Sequence, residues 1–214
     1  MLESTDTATQ MRVPVVYPLE DYEIEAGETE EPGRDFTGQG ARHPAIMIAL
    51  HWGTLIAIVI SVSAMFLRDA SEDSTVRQVL LDIHRQLGLA VLISVGLRIA
   101  VRIGTRFADH APDMSAVLRL AARMAHVILY GMLIALPVEG WFLTNAHGIR
   151  LSVFGVALLP NLMAADSDAA DVLSDYHVWL AWGLLAVVGM HAAAALWHHY
   201  IRRDPVLRAM LPRL

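Results

Sequence analysis

Residues 45–67, AIMIALHWGTLIAIVISVSAMFL, run for 23 positions without a charged side chain. A bilayer core about 30 Å thick takes about 20 residues of helix to cross, and only helices and closed barrels satisfy their backbone groups inside it. This run therefore predicts a transmembrane helix, and three weaker runs follow it. The second begins near Val79 and reads LLDIHRQLGLAVLISVGLRIAVRIG, interrupted by Asp82, Arg85, Arg98 and Arg102. Its ends require snorkelling or polar partners. The third covers residues 122–143, with Pro137 placed to kink it and Glu139 near its far end. The fourth covers residues 177–199. A hydrophobic content of 55% with no cysteine excludes a disulfide scaffold and a thiolate-held cluster. The expected fold class is all-α, a four-transmembrane-helix bundle.

Charge sets the orientation. Every basic residue is Arg, and the arginines cluster at two links. Arg102, Arg106, Arg119 and Arg123 flank the connection between spans two and three. Arg202, Arg203, Arg208 and Arg213 follow span four. Cytoplasmic loops carry the excess of basic residues, so both termini are expected in the cytoplasm. Residues 1–42 carry ten acids against three arginines, with no helical or strand period. They are expected to form an acidic, disordered extension to a bundle occupying residues 43–214. No basic patch suggests nucleic acid as a partner. Among the links, RDASEDSTVRQ is expected as a short polar connection. GIRLSVFGVALLPNLM is expected as an interfacial helix or re-entrant piece, and ADSDAADVLSD as an acidic link.

The histidines can then be placed by depth. His177 and His191 are fourteen residues apart on span four, about 21 Å along one helix face. One helix would thus present an imidazole near each side of the membrane. Span one enters from the cytoplasm, so His51 lies at the level of His191. Span two enters from outside, so His84 lies at the level of His177. Two pairs from different helices result, which is what two stacked haem irons with two imidazole ligands each require. Arg85 is placed for the propionates of the outer haem, and Arg98 and Arg102 for those of the inner one. His126 and His198 fall around the inner level, where a protonatable imidazole suits a quinone, with Trp52 stacking beside the ring. His126 also rivals His51 as an inner ligand. Gly88, Gly96, Gly131 and Gly140 would let a porphyrin or a neighbouring helix come close. His43, His110 and His147 are assigned nothing.

Four segments carry a family resemblance: HPAIMIALHW, IHRQLGLAVLISVGLRIAVR, HVILYGMLIALPVEGW and HAAAALWHHYIRRDPVLRAMLP. Over roughly residues 43–214 the chain resembles the bacterial cytochrome b561 family of dihaem membrane proteins. The resemblance implies two b haems, with the ligand positions carried onto His51, His84, His177 and His191. It also implies electron transfer between the outer face and ubiquinone in the bacterial inner membrane. Some stand-alone members look like superoxide oxidases, so superoxide:ubiquinone oxidoreduction is the expected activity. Arg77, Arg85 and Arg150 would steer the anion, and the acids of residues 166–175 oppose it. The partners expected are membrane lipid, ubiquinone, and superoxide or another periplasmic electron donor. A homodimer stays open. Two alternatives remain: a membrane anchor relaying electrons for a periplasmic dehydrogenase or soluble cytochrome, and a haem-free transporter or assembly protein. The acidic extension and Glu139 depart from the family pattern.

Overall fold

The computed structural model describes residues 44–105 and 115–211. The expectations for residues 1–42, and for Arg106 and Arg213, lie outside them. Four long helices carry the described chain: α1 Ala45–Ala70, α2 Ser74–Thr105, α3 Ala116–Ala146 and α4 Ser167–Trp197. Each is long and apolar enough to cross a membrane, so the protein is a multi-pass membrane protein of the all-α class. A π-helical turn, His198–Arg202, continues α4. It closes where Arg203 turns left-handed (φ 56°) and returns its N–H to the His198 carbonyl. A short 3-10 turn, Arg208–Met210, follows.

α1 packs along α2, α3 along α4, and α2 against α3. Their shared core is a layer of Ile58, Val91, Val95, Leu129, Leu133 and Leu184. The layer falls midway between the two histidine levels. Ile58, Val91 and Leu184 each lie seven residues, about two turns, beyond His51, His84 and His177. Val95 is completely buried. The outward faces are apolar as well, with Ile56, Val59, Phe66, Ile93 and Trp179 exposed. That surface suits lipid rather than water. A polar contact joins α1 to α2, where the buried Thr54 hydroxyl meets Ser94 Oγ at 2.8 Å and donates to the Leu50 carbonyl.

Three expectations for the links need correction. The polar connection after span one shrinks to residues 71–73, because Asp73 starts α2 early. Its carboxylate accepts the Thr75 and Val76 N–H groups at 2.7 and 3.1 Å. These amides, Val76 foremost, hold the carboxyl below the usual aspartate value. The acidic stretch is no link either. Asp166 caps α4 by accepting the Ala169 N–H, and Asp168 sits in the first turn, where an acid suits the helix dipole. His177 therefore lies ten residues inside α4 rather than at its start.

The apolar stretch between them forms a two-stranded hairpin, β1 Ser152–Val153 with β2 Ala157–Leu158. Gly148 and Gly155 have positive φ (73° and 75°), which breaks any continuous helix, and Phe154 joins Gly155 in the left-handed region at 48°. Side chains from the helices hold this link down. Gln86 donates to the Ser152 carbonyl and accepts the Phe154 N–H, offsetting the strained turn. Asn145, 2% exposed, donates to the Ile149 carbonyl and accepts the Leu162 N–H. Asn145→Ala strands both backbone groups and is expected to lower stability by about 1–3 kcal/mol. A lower unfolding midpoint in detergent is the readout, and an unchanged midpoint contradicts the stapling role.

Candidate haem-binding site

The bundle brings together histidines that are far apart in sequence. His84 on α2 and His177 on α4 have ring centroids 5.9 Å apart. His51 on α1 and His191 on α4 lie 6.3 Å apart. His126 on α3 also approaches His191, at 5.4 Å. α4 is thus common to both levels, one ring near each end of its membrane-crossing part.

The His84–His177 pair, outer in the orientation that the arginines predict, opens into a cavity of about 480 Å³, a volume typical of small-molecule sites. Ile58, Leu133, Leu136 and Leu184 wall it on the core side, and Leu151 of the hairpin link covers it. Arg68, Arg85 and His147 line its polar part. The Arg85 guanidinium pairs with Asp82 at 3.0 Å, and Arg68 pairs with Asp69 at 3.2 Å. Gly88 lines the same cavity, and a side chain there would meet open space. Gly140 differs: an added Cβ would come within 3.2 Å of His177 Cε1. The imidazole lies against the α3 backbone, and a side chain at position 140 would push it by a few tenths of an ångström.

Hydrogen bonds set the orientation of both outer rings. His84 Nδ1 lies 2.9 Å from Ser61 Oγ and 3.2 Å from the Ser61 carbonyl. A carbonyl only accepts, so Nδ1 carries the proton and Nε2 is left with its free lone pair. His177 Nδ1 lies 2.7 Å from Glu139 Oε2, and an ionised carboxylate there likewise accepts from Nδ1–H. The other Glu139 oxygen, Oε1, is buried without a hydrogen-bond partner. Sequence reasoning missed Ser61, Arg68 and this contact of Glu139. An acid inside a span was the one available signal for the last.

At the inner level Arg98 is 8% exposed, its guanidinium 5.3 Å from the Tyr130 ring centroid and its Nε unpartnered. It lies within the bundle rather than snorkelling outward. Arg102 is exposed near the end of α2. Trp52 donates its indole N–H to the Met210 carbonyl at 2.7 Å, tying the C-terminal segment to α1. His126 donates Nδ1–H to the Ala122 carbonyl at 2.7 Å. His198 is buried, with Nδ1 2.5 Å from Asp204 Oδ2.

A four-helix membrane bundle whose helices pair imidazoles at two levels is the architecture of a membrane cytochrome. The family comparison agrees, since residues 42–213 match the model for prokaryotic cytochrome b561. The chain belongs to the prokaryotic cytochrome b561 family, and membership implies b-type haem. Similar proteins include cytochrome b561 homolog 2 of Escherichia coli (strain K12), 29% identical over 82% of this chain and 94% of the relative. The probable superoxide oxidase CybB of Yersinia pestis is 31% identical over 80% of this chain and 97% of its own length. Cytochrome b561 homolog 1 of E. coli is 30% identical over 80% and 98%.

The residues present fit such a group. A ligating imidazole nitrogen sits about 2.0 Å from its metal with the ring centroid about 1.1 Å beyond, so two rings on opposite sides of one metal have centroids about 6.2 Å apart. The His51–His191 and His84–His177 separations lie at or near that value. The His126–His191 pair is closer than it. The buried, unpartnered Nε of Arg98 asks for an anionic acceptor, which a haem carboxylate provides.

Proposed function

We propose that the protein is a dihaem b-type cytochrome of the bacterial inner membrane, accepting electrons at the periplasmic face and delivering them to ubiquinone, with superoxide as donor. The observation that carries this reading is the pair of facing imidazoles at each of two levels, 5.9 and 6.3 Å apart. His84 and His177 hold the outer iron, His51 and His191 the inner one. Bound haem supplies a one-electron carrier at each level. Arg85 serves the outer propionates; Arg98 and Arg102 serve the inner ones. The arginines of the link after α2 and of the C-terminal segment support a cytoplasmic inner level.

The quinone is placed beside that inner level. Trp52 offers a ring face there, because its N–H is committed to Met210. His126 and the His198–Asp204 pair supply groups able to deliver protons. In the net reaction two superoxide anions each lose one electron to become dioxygen. Ubiquinone takes those two electrons with two protons to become ubiquinol. The arginines lining the outer cavity, Arg68 and Arg85, favour an anionic donor, and the printed name of the Yersinia pestis relative points the same way.

One observation favours a second reading, in which the protein anchors a periplasmic redox partner. The first ten residues of α4 run ahead of His177 and expose Asp168, Asp171 and Asp175. A basic soluble cytochrome or dehydrogenase would dock on that acidic stretch. Mixing the oxidised, purified protein with superoxide separates the two readings. Appearance of the reduced b-type band, followed by ubiquinone-dependent reoxidation, is expected. Failure of superoxide to produce that band would exclude the oxidase form and leave the anchor reading.

A further inference from the structure

We propose that Glu139 is a positioning residue for His177, aiming its Nε2 into the outer cavity and strengthening it as a donor. The outer site then holds an electron less tightly than the inner one. The inference deepens the dihaem reading and rests on it.

The contact is specific. Glu139 and His177 come from different helices, 38 positions apart, yet Oε2 and Nδ1 meet at 2.7 Å. Both side chains are largely removed from solvent, at 16% and 18% exposure. Gly140, next to the glutamate, brings the imidazole onto the α3 backbone, with 3.2 Å between His177 Cε1 and the place where a Cβ would stand. An acid within a membrane span is expensive and is retained where it has a task. Of the two atoms this carboxylate could use, only Oε2 is hydrogen-bonded. Its polar work inside the protein is therefore directed at one imidazole nitrogen.

The chemical consequence depends on the partner's charge. A carboxylate accepting Nδ1–H leaves more negative charge on the ring and makes Nε2 the stronger donor. A stronger donor stabilises the oxidised, more positive iron and lowers the reduction potential. The facing ligand, His84, has the neutral Ser61 hydroxyl and carbonyl on its Nδ1. Glu139 is thus the group that makes the outer level electron-rich. Arg98, fourteen residues beyond His84 on the same face of α2, places a cation toward the other level. Arg68 and Arg85, which line the outer cavity, are each paired with an aspartate, so the acid on His177 and the cation at the other level both favour a higher midpoint at the inner site.

Potentiometric titration of the b-type band in the purified full-length protein tests this. Wild type should give two one-electron midpoints, and H191A, which keeps the outer site, should retain the lower one. E139Q keeps the size and an acceptor oxygen but removes the charge. It is expected to raise that lower midpoint by about tenfold in the reduced-to-oxidised ratio, about 59 mV for one electron, and to leave the upper one in place. E139D keeps the charge with a shorter reach and should fall between wild type and E139Q. In the H191A background, E139Q should move the single midpoint upward by the same amount. The proposal is overturned if E139Q leaves the lower midpoint where it was, if the upper midpoint moves instead, or if E139D shifts as far as E139Q. It is also overturned if H191A retains the upper midpoint. Absence of two b-type midpoints in wild type would remove the dihaem reading itself, an outcome distinct from all of these.

Discussion

Replacing His177 with alanine is expected to remove one of two haems and leave the other in place. His191→Ala is expected to do the converse. Both histidines stand on α4, but an apolar layer centred on Leu184 separates them by about two turns on either side. Each faces its own partner, His84 at 5.9 Å and His51 at 6.3 Å. Alanine deletes the imidazole without touching the helix backbone, and alanine favours helix. Each variant should therefore fold, insert and lose about half of the reduced b-type absorbance, since haem iron is held through its axial ligands. The bands remaining in the two variants should add up to the wild-type spectrum. Loss of both haems from either single variant would contradict two separately held sites.

The second large effect concerns the inner level, where His191 has two histidine neighbours. His51→Ala is expected to abolish the inner haem, and His126→Ala to retain it. Rings on opposite sides of one metal have centroids about 6.2 Å apart, close to the His51 separation of 6.3 Å, whereas His126 stands 5.4 Å from His191. His126 is also turned by its bond to the Ala122 carbonyl on its own helix. If it serves the quinone, His126→Ala should keep both haems and slow ubiquinone-dependent reoxidation by about 10²–10⁴-fold, the usual range for a lost proton-transferring side chain. Retention of the inner haem in His51→Ala, with loss in His126→Ala, would reverse the assignment.

The arrangement of the four helices and the pairing of their histidines were legible because both follow from simple periods. Charge-free length announces a span, and an offset of fourteen residues returns a side chain to the same face. Knowing which way each span runs then pairs His51 with His191 and His84 with His177. The links were less legible because composition does not fix the conformation of a short segment. GIRLSVFGVALLPNLM has the apolar content of an interfacial helix, but Phe154 and Gly155 take left-handed conformations that make it a hairpin. The acids of ADSDAADVLSD resemble a solvated loop, yet Asp166 caps a helix that runs straight through them.

The site itself divides in the same way. The rings that face each other could be found from numbering. The groups behind the rings could not, because contacts such as Glu139 to His177 and Ser61 to His84 depend on how neighbouring helices are rotated. Arg98 shows the intermediate case: its place near the inner level follows from α2, but its burial over Tyr130 required the packing of α3. Intramembrane polarity marked Glu139 as worth explaining, and the structure supplied its partner.

The most direct test of the dihaem account is the haem content of the purified chain, measured as extractable haem b per polypeptide together with the dithionite-reduced spectrum. Two haems b per chain, both low-spin as two imidazole ligands require, is the predicted result. One haem per chain, or none with the polypeptide intact and folded, would contradict it.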